Sequence, residues 1–262
     1  MSTTAIATID TTKDPIPLLR VVKVELRKMF DTRSGAWLMA SIGIVALIAT
    51  VGVILIANDS DLGFGLFGAA VGFPMTILLP IVAILSVTGE WSQRTGLITF
   101  TLLPHRGQVI VAKAIAAVLV AIVSMLLAFA IGALGNIIGS AIAGVDAVWD
   151  MKVSDMLLII LGNIFGLLVG FMLGVLIRNS AGAIVAYFVY SFVLPSIFAV
   201  LAGFQDWFQN LRPWIDFNFS QTPLFDGGPS GEEWAHLGTS GLIWFVIPLA
   251  LGVWAVLRSE VK

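Results

Sequence analysis

Six long apolar runs separated by shorter polar stretches lay out the chain, at residues 36–57, 64–88, about 114–143, 156–177, 181–203 and 241–257. A helix needs about 20 such residues to cross the hydrocarbon core of a bilayer, so the pattern predicts six transmembrane helices. The third run is longer than a span requires. It is expected to tilt, to bend near Gly132, Gly135 and Gly139, or to extend past the membrane. The sixth is the shortest and is expected to borrow its first turn from residues 235–240.

The segments before and between the runs are patterned differently. Residues 1–14, rich in Thr, Ser and Asp, predict a disordered lead. From Pro15, a good first helical residue, Ile16, Leu19, Val22, Leu26 and Met29 recur at three- and four-residue spacing, with Arg20, Lys23, Arg27 and Asp31 mainly opposite. With Lys28, this predicts an amphipathic helix over residues 15–33 that lies on the membrane surface, its cations toward lipid headgroups; a cytosolic cap helix is the alternative. After the fifth run, Phe204, Trp207, Phe208, Leu211 and Trp214 make a second helical stripe within an outer loop, residues 204–240. Aromatics of this kind favour the headgroup layer, so a short interfacial or re-entrant helix is expected there.

Composition changes the picture only by confirming its class. Apolar residues make up 58% and charged residues 11%, and mean hydropathy is +1.01, far from the roughly one-quarter charge of a globular chain. The fold class is an all-α integral membrane protein. A formal charge of −2 gives no reason to expect a nucleic-acid partner, and the absence of cysteine excludes disulfides and thiolate metal sites. The first 35 residues hold six Lys or Arg and lack the apolar core of a cleaved leader.

The placement of charge says more than its sum. With the N-terminus inside, twelve of the fourteen Lys and Arg fall on the inner side and only Lys152 and Arg212 fall outside. This asymmetry predicts cytoplasmic termini in a multi-pass cell-membrane protein. All Asp and Glu lie outside the six runs, as do the basic residues, with Lys113 at a boundary. A carrier built on buried carboxylates is therefore not expected. Thr76, Ser124, Asn136, Ser140, Asn163, Tyr187, Tyr190 and Ser191, the mild polar groups inside the runs, suit helix packing.

Candidate chemistry is sparse. No Gly-x-x-x-x-Gly-Lys-Ser/Thr loop is present, so the chain has no usual phosphate loop for ATP. Glu232, Glu233 and His236 have a spacing that one helical turn could gather around a metal, but a solvated turn capping the last span is the adopted reading. No metal site, no cofactor bound by this chain and no catalytic residue is assigned. Gly162, Gly166, Gly170 and Gly174 repeat every four residues along the fourth run, a face for close helix packing, here read as packing within the subunit.

The polar segment 89–113 carries the remaining signal. A basic helix, two spans, Glu90, Arg94-Thr95-Gly96, Pro104-His105-Arg106 and Lys113 opening the third span follow in that order. This order, over nearly the whole chain, resembles the membrane permease subunits of type-2 ATP-binding-cassette (ABC) exporters. The resemblance implies a separate cytoplasmic ABC ATPase subunit that binds ATP and Mg and docks near the first helix and the segment between spans two and three. It also implies a second permease subunit, identical or related. Glu90, Arg94, Thr95, Gly96, Pro104, Arg106 and Lys113 would then couple the ATPase to the spans; the plainer alternative makes them solvated helix ends that set orientation. The uncharged spans suit an amphiphilic cargo, such as a lipid, peptide or drug. A membrane anchor or regulator without transport, and an ATP-independent channel or carrier, are the competing functions.

Overall fold

The computed structural model describes residues 16–31, 33–92 and 106–258, and the described chain forms helices without strands. The expected lead, Pro15 and residues 93–105 lie outside the described residues. The helix α1 (Leu18–Asp31) is followed by α2 (Arg33–Ile56), α3 (Phe64–Ser92), α4 (Arg106–Ala143) and α5 (Val153–Ile177). The fifth long helix comprises α6 (Ser180–Phe188), a π-helical turn (Val189–Val193) and α7 (Leu194–Phe204). Then come α8 (Asp206–Ile215), the single turn α9 (Phe217–Ser220) and a 3-10 turn (Thr222–Phe225). The sixth comprises α10 (Gly231–Gly241), a π-helical turn (Leu242–Val246) and α11 (Ile247–Arg258). Among the described residues six helices are long and apolar enough to cross a membrane, because each apolar run satisfies its backbone internally, as a lipid environment demands.

Several boundaries differ from the hydrophobic pattern, three of them by four residues or more. α3 continues past residue 88 to Ser92 and takes in Glu90, while α4 begins at Arg106 and takes in Lys113. The charges at these ends have partners, so the helices need not stop where apolarity does. With 38 residues, α4 is about 57 Å long at 1.5 Å per residue, well beyond the membrane core. It runs unbroken through Gly132, Gly135 and Gly139, which give room to Phe67, Thr50 and Ile54. The last long helix starts at Gly231, earlier than residue 235, because Ser230 and Glu233 form a capping box that satisfies its first amides.

α3 is the centre of the packing. Its fully buried Val71, Met75, Leu79 and Ala83 meet Ala117, Ala121 and Met125 of α4 and Leu167 and Phe171 of α5. Pro80 interrupts its hydrogen-bond ladder: without an amide hydrogen it leaves the Thr76 carbonyl unpaired. The Tyr187 hydroxyl, from α6, donates to that carbonyl at 2.6 Å. Beside it, Gly170 of α5 lies so close that an added Cβ would meet the Pro80 carbonyl oxygen at 2.7 Å. One helix break thus fixes the positions of two neighbouring spans.

Candidate functional site

At the end of the bundle where α3 finishes and α4 begins, four charged side chains from three elements converge. Glu25 and Lys28 come from α1, Glu90 from the last turn of α3 and Lys113 from the first turns of α4. The Lys113 ammonium lies 2.5 Å from Glu25 and 3.0 Å from Glu90, and it also donates to the Ser86 carbonyl at 3.1 Å. Lys28 lies 2.7 Å from Glu25 and 3.0 Å from Glu90. Each lysine bridges both glutamates, and the four charges sum to zero.

Local sequence explains how α1 comes so close. Ala112 and Ala116 of α4 are fully buried against Val21 and Val22, and alanines let two helix backbones approach closely. The buried face of α1 is Val21, Val22, Glu25 and Met29. This corrects the expected apolar stripe: Ile16 and Leu19 are exposed, Leu19 by 79%, because the helix is rotated to bring Glu25 to Lys113. Arg20, Lys23 and Arg27 remain on the exposed side, where Arg27 pairs with Asp31 at 3.0 Å.

Burial determines the electrostatics. Glu25, Glu90 and Lys113 are 3%, 5% and 6% exposed, so none could stay charged at low cost without its partners. Lys28 is partly open to solvent. Burial pulls its ammonium down, but the hydrogen bond and charge of Glu25, then those of Glu90, outweigh that and raise its pKa above the usual 10.5. It therefore stays charged at physiological pH. Two residues before Glu90, the Thr88 hydroxyl is 2.7 Å from that of Ser180 at the start of α6, so a fourth element is tied to the same end. What this arrangement can do is mechanical: displacement of α1 or the α3 end must be shared by α4, or a buried charge loses its partner.

Of the residues singled out from sequence, the structure brings Glu90, Lys113 and Lys28 together. Arg106 is the first residue of α4, whereas Arg94, Thr95, Gly96 and Pro104 lie outside the described residues. Glu25 was missed. Its signal was present, since it is the carboxylate on the face of α1 that also carries Val22 and Met29. The glycines of α5 face the chain itself: Gly166, Gly170 and Gly174 lie against Pro80, Ile84 and Val87, and Gly162 lies under the Phe225 ring. At the opposite end of the bundle, Glu233 accepts from the Ser230 amide at 2.6 Å. His236 packs edge-on against Trp214 at 4.4 Å, and Glu232 lies 3.7 Å from it.

Comparison with known proteins adds a family. A model of the ABC-2 family transporter proteins matches residues 21–194, from the cluster's own helix into the fifth long helix. No curated protein matches the chain.

Proposed function

The chain belongs to the ABC-2 family of transporter proteins, the membrane component of an ABC transporter, and from this premise we propose that it is the permease of an ATP-driven exporter. A separate cytoplasmic ATPase subunit, carrying ATP and Mg, acts on α1 and on the segment between α3 and α4. The observation that supports this reading is the cluster of Glu25, Lys28, Glu90 and Lys113, which locks three elements at the end of the bundle where α3 finishes and α4 begins. Closure of the ATPases pushes on that segment. The push passes through the buried charges to α1 and α4 and tilts the packed spans between two arrangements. A second permease subunit, identical or related, completes the path. The uncharged spans favour an amphiphilic cargo.

The Lys and Arg asymmetry supports a cytoplasmic position for this end, as the docking of an ATPase requires. The same side suits the exposed face of α1. Arg20, Lys23 and Arg27 line it beside exposed Leu19 and Phe30, a mixture that fits anionic headgroups with acyl chains beneath.

The test is copurification of the tagged chain in mild detergent, mass spectrometry of what accompanies it, and ATPase turnover per assembled complex. A nucleotide-binding subunit is expected to accompany the native chain. Glu25→Gln and Glu90→Gln are expected to lower turnover several-fold in complexes that still assemble. A lone chain that transports without nucleotide would favour a channel or carrier, and an accompanying ATPase with unchanged turnover in both variants would favour an anchor.

A further inference from the structure

The fifth and sixth long helices carry the same break at the same height. Val189–Val193 and Leu242–Val246 are both π-helical turns, each closed by a bond across five residues, from the Leu194 amide to the Val189 carbonyl and from the Ile247 amide to the Leu242 carbonyl. Each is followed by a proline at the same offset, within the matching stretches Phe192-Val193-Leu194-Pro195 and Phe245-Val246-Ile247-Pro248. Each proline removes the amide that the carbonyl four residues earlier would have used. Those carbonyls, of Ser191 and Trp244, lie inside the π-turns themselves. Two successive defects in one turn leave a helix few backbone bonds to resist bending there. The turns are also neighbours: the rings of Tyr190 and Trp244 are 5.8 Å apart.

What lies on either side of the two breaks differs. On the charge-cluster side, α6 and α11 pack against α5. On the other side, α7 and α10 pack against α8, which with α9 joins them into one body from Leu194 to Gly241. This body holds both breaks through its own corner, since the Trp244 indole donates to the Ile215 carbonyl at 2.6 Å and the Asn218 amide donates to the Tyr190 carbonyl at 3.1 Å. Its seat on α5 is apolar, with Phe217 at 5.9 Å from Phe165, Phe225 lying on Gly162, and Leu224 buried in one cluster with Leu158 and Leu161. Among the described residues no ion pair joins this body to α5, so none must break when it lifts.

We propose that residues 194–241 form a cap that rocks as one body on these two matched hinges and unseats Phe225 from Gly162, opening the bundle at the end opposite the charge cluster. The proposal goes beyond the coupling joint and is testable without any ATPase. The chain contains no cysteine, so Gln209→Cys on the cap and Ser154→Cys at the start of α5 give one spin-label pair. The doubly labelled chain is placed in lipid nanodiscs, diluted with unlabelled chain, for electron–electron distance measurement. The native chain is expected to show two distance populations. Pro195→Ala with Pro248→Ala is expected to collapse them to one, and Gly162→Val, which fills the seat of Phe225, is expected to enrich the longer population. A single narrow distribution in the native chain overturns the proposal whatever the variants do. So does a two-population distribution that neither the proline pair nor Gly162→Val changes.

Discussion

The hydroxyl of Tyr187 shows what one residue contributes to this fold. It donates at 2.6 Å to a carbonyl that is free only because Pro80 has no amide hydrogen. Losing a buried bond of this kind in a membrane protein costs about 0.6 to 2 kcal/mol. Tyr187→Phe is therefore expected to destabilise the chain by about 1 kcal/mol, read by unfolding in mixed micelles. In a Pro80→Ala background the new amide satisfies the Thr76 carbonyl, and the same Tyr187→Phe change should cost almost nothing. A cost that is equal in both backgrounds would refute the link. Sequence reading placed Tyr187 only among the mild polar groups of a span, since its partner is 111 residues away. Glu25 was missed for the same reason. Its inward position on α1 was legible, but its meeting with Lys113, 88 residues on, was not.

At the scale of elements, the pairing of α3 with α5 is a matter of backbone approach. An added Cβ on Gly170 would meet the Pro80 carbonyl oxygen, Cβ and Cα at 2.7, 2.8 and 2.9 Å. Backbone on both sides cannot yield as a flexible side chain would, so Gly170→Ala must force the two helices apart. Overpacking of that kind typically costs about 1–3 kcal/mol. Gly52→Ala, with nothing within 4 Å of the added carbon, is expected to leave stability unchanged or slightly raised, and the same micelle unfolding assay compares the two. The four-residue glycine repeat announced a close helix neighbour, and its chemistry was readable. That the neighbour is α3 for three of the four glycines, at Pro80 for Gly166 and Gly170 and at Ile84 and Val87 for Gly174, and the Phe225 ring for the fourth, follows from the packing alone.

For the whole molecule, orientation is the property on which the proposed function stands. Twelve of fourteen cations on one side of six spans predict an inward α1 and an outward start of α5. In whole cells, an impermeant thiol reagent is expected to label Ser154→Cys directly and Lys23→Cys only after permeabilisation. The reverse pattern would place the charge cluster outside, out of reach of a cytoplasmic ATPase.

The sequence by itself determined the all-helical class, the six spans and the family. Each of these is written in contiguous residues, where a run of apolar side chains and the need to satisfy its backbone leave one outcome. Only the tertiary structure decided where the helices carrying Glu90 and Lys113 end, which way α1 turns, and how the two π-turns come side by side. These depend on residues tens of positions apart meeting in space. A buried charge extends a helix only when its partner arrives, and a hydropathy pattern contains no record of the partner.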